Sequence, residues 1–309
     1  MLFIPSSYLD LTYSDNHPYA VDLAHVGQGN WRAFRAIGIS LSEVLDIARS
    51  WSDFFAGIDR PWLCWHVDDE WSIVQQRLVA SVGWTPIVGF DPRVGPPRRT
   101  IPQAIIVDFN KYLGLPILYP HFTLEFAFLY CKKIAFWHSD LLIDRKNMEK
   151  TSVKFNNMED GQTFAIRPRR EWKQLLSTKN KRYWELVGCT TKLASKDQFE
   201  NGCGWWMDFW AHPNQKNGQY VKQNYYWDHG SGIYYWNKIH GGHCEIWNER
   251  MFRKGHFTKI GNKKYKRFRE PNSLSDARRN MASEIKDNFS VVEACKKLHL
   301  EDYMDDHFR

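Results

Sequence analysis

A strand, a helix and a second strand follow one another between residues 62 and 90, and this pattern restricts the possible folds most. Trp62-Leu63-Cys64-Trp65 is a short apolar run that predicts a buried strand, and Thr85 to Phe90 predicts another. Between them lie apolar residues three or four positions apart, as on one face of a helix: Trp71, Val74, Leu78 and Val82. This βαβ pattern predicts an α/β fold with a mostly parallel, buried sheet.

Local signals extend this pattern in both directions along the chain. Ser40-Leu41-Ser42-Glu43 is a capping box that predicts the start of a helix. Lys133 to Trp137 predicts a strand, whereas Ala104 to Asp108 and Phe122 to Tyr130 are each compatible with a strand or a helix. From Asn272 onward the pattern is helical.

The second half of the chain has a different composition. From Glu171 to Asp228 it is rich in Trp, Asn, Gly and Lys and has few long apolar runs. This predicts a loop-rich, Trp-rich C-terminal half, and such segments often carry binding residues. We find no internal repeat or linker, so we expect a single domain over residues 1–309.

Composition narrows the classes of partner. Aromatic residues make up 16% of the chain, with 15 Trp, and the formal net charge is +7. Aromatic rings suit sugars and nucleobases, and a positive excess suits phosphate groups. No apolar run approaches the roughly 18 residues that a membrane span needs, so we expect no transmembrane segment.

The first residues of the chain and its cysteine pattern both favour a cytoplasmic location. The first residues have no basic stretch of the kind that begins a secretory signal, so we expect none. The six cysteines are scattered without a CxxC pair, which favours reduced thiols and a cytoplasmic location.

Polar residues follow the predicted strand Lys133–Trp137 directly, in the order His138-Ser139-Asp140. Ligands of open α/β sheets bind at the carboxyl ends of the strands, so this triplet is a candidate site. A carboxylate suits Mg²⁺ or Mn²⁺, and an imidazole is compatible with Mn²⁺. The alternative is structural, with Asp140 capping the next turn and His138 making a hydrogen bond.

The triplet resembles the Asp-x-Asp motif of GT-A-type nucleotide-sugar glycosyltransferases, with His138 in place of the first Asp. The resemblance implies a Rossmann-like sheet flanked by helices, with Mn²⁺ or Mg²⁺ and the donor diphosphate bound at His138, Ser139 and Asp140. It also implies that His66, Asp68 and Asp91 bind the donor, and that His256 completes the metal site. Helix capping for Asp68 and a turn for Asp91 are the structural alternatives.

The same resemblance divides the chain by function. Residues 60–150 would be the nucleotide-sugar half, residues 151–262 the acceptor half, and residues 263–309 a basic, then acidic helical tail. It gives a Gly/Trp-rich acceptor loop, whose matching segment is Glu200 to Asp208.

Within that loop, Trp205 and Trp206 would bind the acceptor. A carboxylate would take the acceptor proton as general base. Asp208 is the first choice, with Glu200 and Asp228 behind it. The structural alternative for the loop is an aromatic core turn.

We therefore expect a glycosyltransferase that moves a sugar from a nucleoside-diphosphate donor to a glycan or lipid-linked hydroxyl. Peripheral contact with an anionic membrane stays open for the basic segment 253–269. That segment and 167–182 also leave open a nucleic-acid-binding protein. The Trp content leaves open a carbohydrate-binding or hydrolytic protein.

Overall fold

The computed structural model describes residues 41–55, 57–92, 94–114, 118, 120–167, 182–201, 203–205, 230–256 and 291–305. Seven strands form one sheet: β1 Pro61–His66, β2 Thr85–Phe90, β3 Ile105–Ile106, β4 Lys133–Trp137, β5 Gln162–Arg167, β6 Trp184–Thr191 and β7 His243–Asn248. Their order across the sheet is β3-β2-β1-β4-β6-β5-β7, so β4 is the central strand.

Strand directions make the sheet mostly parallel, as predicted. β6 runs antiparallel to its two neighbours, β4 and β5, and the other neighbouring strands pair in parallel. The carboxyl ends of six strands therefore lie at one edge of the sheet, and the amino end of β6 lies there too. This edge carries the candidate site.

Helices cover both faces of the sheet. They are α1 Leu41–Phe55, α2 Asp69–Ser81, α3 Pro120–Tyr130, α4 Arg145–Asn156, α5 Lys192–Glu200, α6 Ser231–Ile239 and α7 Val291–Leu298. Short 3-10 helices span Glu249–Met251, Arg253–Gly255 and Glu301–Tyr303.

Two apolar cores lie on the two faces. Residues of α1, α3, α5 and α6 pack on one face, and residues of α2, α4 and α7 on the other. Along β1 the side chains alternate between the cores, since Leu63 and Trp65 face the first and Trp62 and Cys64 the second. Burial on both faces explains why this strand is apolar from Pro61 to Trp65.

The structure resolves the ambiguous segments. Residues 105–106 form a short strand, and residues 120–130 form a helix. The helical start predicted from the capping box is found in α1, the bounds predicted for β2 are correct, and part of the predicted helical tail is α7. Gly83 follows α2 with a φ of 75°, a backbone conformation that glycine adopts easily.

The expectation of a loop-rich segment from Glu171 to Asp228 is wrong for residues 184–200. These form β6, which is buried along most of its length, and α5. The sequence of β6 has few large apolar residues because small residues fit between its neighbours. A Cβ at Gly188, for example, would collide with the ring of Phe136 on β4.

All six cysteines are free thiols, in agreement with the prediction of reduced cysteines. Burial raises the pKa of Cys131 and of Cys295 to about 12. Among the helices in the described ranges, none combines the length and the apolar character that crossing a membrane requires.

Candidate metal centre

The loop after the central strand holds the candidate site in a fixed conformation. The backbone N–H of His138 donates to the carbonyl of Leu186 on β6 at 2.9 Å. From α2, the Gln75 side-chain amide donates to the carbonyls of His138 and Leu141, both at 2.9 Å. Both ends of the loop are therefore held by neighbouring elements.

This loop and His256 bring two imidazoles and one carboxylate together. Nδ1 of His138 lies 3.6 Å from Oδ1 of Asp140, and Nε2 of His256 lies 3.2 Å from Oδ2 of the same carboxylate. One ligand atom from each of the three side chains lies within 4.8 Å of the others. We call His138, Asp140 and His256 the His-Asp-His cluster.

Backbone pairing delivers His256 to this position from a distant part of the chain. His256 forms an isolated antiparallel bridge with Leu141, and the N–H of Leu142 donates to the carbonyl of Gly255 at 3.1 Å. A Cβ on Gly255 would collide with the Leu142 carbonyl oxygen. Glycine is required here because the two backbones approach so closely.

The two imidazoles of the cluster favour the ionised form of the Asp140 carboxylate. Burial alone would raise the pKa of Asp140, but the charge of His256 and the hydrogen bonds from His138 and His256 hold that pKa well below its usual range. Burial also opposes the charged form of His138, yet Asp140 and Glu185 outweigh it and raise the pKa of His138. The carboxylate is therefore ionised at neutral pH.

The donor set fits a divalent first-row cation. Two imidazole nitrogens beside a carboxylate suit Mn²⁺ better than Mg²⁺, which prefers oxygen ligands. The side chains of His138 and Asp140 are 26% and 21% exposed, so the cluster is partly open to solvent. Among the residues that the structure describes, this is the one group of His, Cys, Asp and Glu side chains with metal-ligand spacing.

The predicted donor-binding residues of the first half lie at the same edge of the sheet. Leu63 of β1 pairs with Phe136 of β4, so His66, which ends β1, and His138, which directly follows β4, lie at the same edge of the sheet. Ser139 lies half-buried between the two cluster residues of the loop. Asp91 follows β2 directly and is 1% exposed.

Two of these residues have local structural partners. Asp68 caps α2, since its carboxylate accepts from the backbone N–H groups of Glu70 and Trp71. The structural alternative for Asp68 is thus observed. Burial lowers the pKa of His66, although the charges of Asp69 and Asp68 oppose this.

The structure corrects the prediction for Trp205. Its side chain is 1% exposed, its indole N–H donates to Thr190 at 3.2 Å, and its ring packs edge-on against Phe136. A ring enclosed in this way belongs to the core, so the expectation that Trp205 stacks on an acceptor is wrong. The alternative of an aromatic core turn is correct for this residue.

Of the three carboxylates proposed as general base, the structure describes only Glu200. Glu200 ends α5 and pairs with Lys196 at 3.5 Å. Asp208, Asp228 and Trp206 lie outside the described residues, as do most of the basic segments 167–182 and 253–269.

Three residues of the site were missed by sequence reasoning: Gln75, Glu185 and Gly255. Gln75 had a visible signal, because a polar residue occupies the apolar stripe of α2 between Trp71 and Leu78. The contacts of Glu185 and Gly255 depend on strand pairing between distant segments, which local sequence does not indicate.

Comparisons with protein-family models, with curated proteins and with solved structures found no match to this chain.

Proposed function

We propose that this protein is a GT-A-like glycosyltransferase that moves a sugar from a nucleoside-diphosphate donor to a hydroxyl of a glycan or glycolipid. The observation that carries the proposal is the position of the His-Asp-His cluster. His138 and Asp140 follow the central strand, where the resemblance puts the metal motif, and His256 joins them as that resemblance implies.

The architecture agrees with this proposal. A mostly parallel sheet covered by helices exposes its strand ends at one edge, and ligands of such sheets bind there. His66 ends β1 and Asp91 follows β2, on the same side of the sheet as the loop after β4. Their position supports the proposal that this edge binds the nucleoside of a donor whose diphosphate lies at Asp140, although both side chains are buried.

In the proposed mechanism, the bond between the anomeric carbon and the diphosphate oxygen breaks, and the diphosphate leaves with the electron pair. The acceptor oxygen forms the new bond to the anomeric carbon, and its proton passes to a carboxylate. Asp208 is our first choice for that carboxylate, with Glu200 and Asp228 behind it.

The role of the cluster would be to stabilise the leaving diphosphate. Asp140, His138 and His256 would hold Mn²⁺ or Mg²⁺, which when bound neutralises developing negative charge on the diphosphate. The hydrogen bonds from Gln75 hold the loop in place, so little reorganisation is needed as that charge develops.

Donor turnover in an Asp140 variant tests the proposal. With Mn²⁺ and a panel of nucleotide sugars, we expect the wild-type protein to release nucleoside diphosphate, and Asp140→Ala to lose about 100-fold or more of that rate. Asp59→Ala is the control, since that carboxylate is 79% exposed in a surface turn. Equal turnover by folded Asp140→Ala and wild type would overturn the assignment.

A further inference from the structure

Charge is divided along the edge of the sheet that carries the cluster. On one side of the central strand, an aspartate follows each strand within two residues, namely Asp68 after β1, Asp91 after β2 and Asp108 after β3. On the other side, an arginine lies at this edge beside each strand, namely Arg182 at β6, Arg167 at β5 and Arg250 at β7. The His-Asp-His cluster therefore lies between an acidic side and a basic side.

Strand directions bring the three arginines to this edge. Arg167 is the last residue of β5, which runs parallel to β7. β6 runs the other way, so Arg182 reaches the same edge from a position just before that strand. Arg250 follows β7 within the 3-10 helix Glu249–Met251. The division of charge thus results from the topology of the sheet.

The segment between β7 and the cluster carries the most accessible positive charge. Arg250, Arg253 and Lys254 are exposed, and none of them forms an ion pair within the described ranges. Glu249, the one acidic residue of the segment 249–256, is buried. Arg253 precedes His256 by three residues, so their Cα atoms are at most about 11 Å apart. These cations are therefore open to a ligand and close to the candidate metal.

We propose that Arg250, Arg253 and Lys254, here called the basic flank, bind a phosphate group carried by the acceptor. Guanidinium groups bind phosphate oxygens in pairs, and an ammonium adds a compact positive charge. The acidic side would repel a phosphate, but its carboxylates suit the hydroxyls of a ribose. The acceptor role rests on the proposed function, which puts the donor nucleoside at the ends of β1 and β2.

Neighbouring elements hold the basic flank in place. The Asn147 side-chain amide of α4 donates to the Met251 carbonyl at 3.3 Å, and the N–H of Leu142 donates to the Gly255 carbonyl at 3.1 Å. The backbone is thus fixed before and after residues 253–254. A backbone that is already ordered loses less entropy when a ligand binds.

The basic flank fits a phosphorylated acceptor in solution better than it fits a membrane. Surfaces that bind membranes combine basic residues with apolar side chains that enter the headgroup region. Within the described ranges, none of the exposed large apolar side chains belongs to residues 249–256. The basic flank therefore has the charge that a bilayer attracts but lacks the apolar contact surface.

Calorimetric titration of full-length, metal-free protein with glucose 6-phosphate and with glucose tests the inference. We expect the phosphorylated sugar to bind at least 10-fold more tightly than glucose. Arg253→Ala/Lys254→Ala should weaken binding of glucose 6-phosphate by about 10-fold or more, because two cations that contact the phosphate are lost. No binding of glucose 6-phosphate to wild type would overturn the inference.

A second double variant is the matched control. Lys132→Ala/Lys192→Ala also removes two exposed cations, at the opposite edge of the sheet, where the N–H of Lys192 donates to the Lys132 carbonyl. It should bind glucose 6-phosphate as wild type does. Equal affinities in the two double variants would overturn the inference, and so would binding of anionic lipid vesicles at the basic flank without binding of glucose 6-phosphate. Thermal unfolding shows whether each variant is folded.

Titration in the presence of a nucleotide separates an acceptor site from a donor site. With Mn²⁺ and saturating UDP, GDP, dTDP or ADP, we expect glucose 6-phosphate to bind together with the nucleotide. Competition between the two would place the donor diphosphate at the basic flank and overturn the inference. Wild-type protein that binds none of these nucleotides would contradict the proposed function, whereas the metal-free titration would still decide whether the basic flank binds phosphate.

Discussion

At the level of single residues, Asp140 and Gly255 explain how the cluster is assembled. Asp140 lies between two imidazoles, which keep its carboxylate ionised despite burial. Gly255 allows the segment before His256 to pass close to Leu142, so that His256 reaches Asp140. Asp140 therefore supplies the negative charge between the imidazoles, and Gly255 leaves the space that the backbone needs to bring His256 there.

A side chain at position 255 should therefore damage both stability and metal binding. Gly255→Ala forces a Cβ against the Leu142 carbonyl, so we expect a loss of about 1–3 kcal/mol in unfolding free energy. We also expect weaker Mn²⁺ binding, because His256 is displaced. Calorimetry and Mn²⁺ titration measure the two effects.

Gly241→Ala provides the comparison for that variant. Gly241 has a φ of 71° but open space around it, so alanine there adds backbone strain without a collision. It should cost about 1 kcal/mol and leave Mn²⁺ affinity unchanged. Native stability and affinity in Gly255→Ala would show that the close approach does not hold His256.

At the level of elements, α2 supports the loop after β4 through one buried amide. Gln75 donates to the carbonyls of His138 and Leu141, whereas its neighbour Gln76 contacts Ser72 and Ile101 away from the loop. The two glutamines are almost equally buried, and within the described ranges each makes two hydrogen bonds through its side chain. They therefore form a matched pair for mutagenesis.

We expect Gln75→Leu and Gln76→Leu to destabilise the protein similarly, by about 1–3 kcal/mol each, since both leave buried polar groups unsatisfied. Mn²⁺ affinity should fall in Gln75→Leu alone, because that substitution releases the cluster loop. Equal Mn²⁺ affinities in the two variants would contradict the support role of Gln75.

The strands and helices differ in how well the local sequence predicts them. β1, α2, β2 and β4 carry strong local patterns and were predicted from them. β6 was missed because its small residues fit only against particular neighbours, such as Gly188 against Phe136. The expectation that Trp205 binds the acceptor is wrong because a Trp in a binding loop and a Trp in a core look alike in sequence.

The cluster itself was only half predictable. His138 and Asp140 follow a recognisable strand, so their neighbourhood is local. His256 joins them through pairing with Leu141, far away in the sequence, and only the family resemblance suggested it. Glu185 had no such suggestion, because its contact depends on the antiparallel position of β6.

At the level of the whole molecule, the segment 291–305 packs beside the elements that hold the site. Leu298 packs in the same apolar core as Leu141 and Leu142. Arg77 of α2 donates to the Tyr303 carbonyl and pairs with Asp305, which Arg99 also contacts at 2.8 Å. This segment is thus attached to α2, the helix whose Gln75 holds the cluster loop.

Removing the Asp305 charge should weaken this attachment in a pH-dependent way. Burial opposes ionisation of Asp305, but Arg77 and Arg99 prevail and lower its pKa. A carboxyl with a lowered folded pKa adds stability above its unfolded pKa of about 4, and loses it as pH falls through the folded value. We expect Asp305→Asn to cost about 1 kcal/mol at neutral pH.

Unfolding curves at several pH values test this expectation. The difference between wild type and Asp305→Asn should shrink as the pH falls below about 4. Asp302→Asn is the control, because Asp302 is 82% exposed and its pair with Arg145 is 3.8 Å long. A difference that stays constant down to low pH would contradict the ion-pair explanation.

The central claim is that the His-Asp-His cluster holds a divalent cation beside a nucleotide, and thermal unfolding with UDP, GDP, dTDP, CMP and ADP tests it directly. Each nucleotide is measured with and without Mn²⁺, in wild type and in Asp140→Ala. At about one hundred times its dissociation constant, a bound nucleotide should stabilise wild type by about 2.7 kcal/mol. We predict that one nucleotide does so only with Mn²⁺ and only in wild type. Stabilisation that is independent of Mn²⁺ or retained in Asp140→Ala, or no stabilisation by any nucleotide, would contradict the claim.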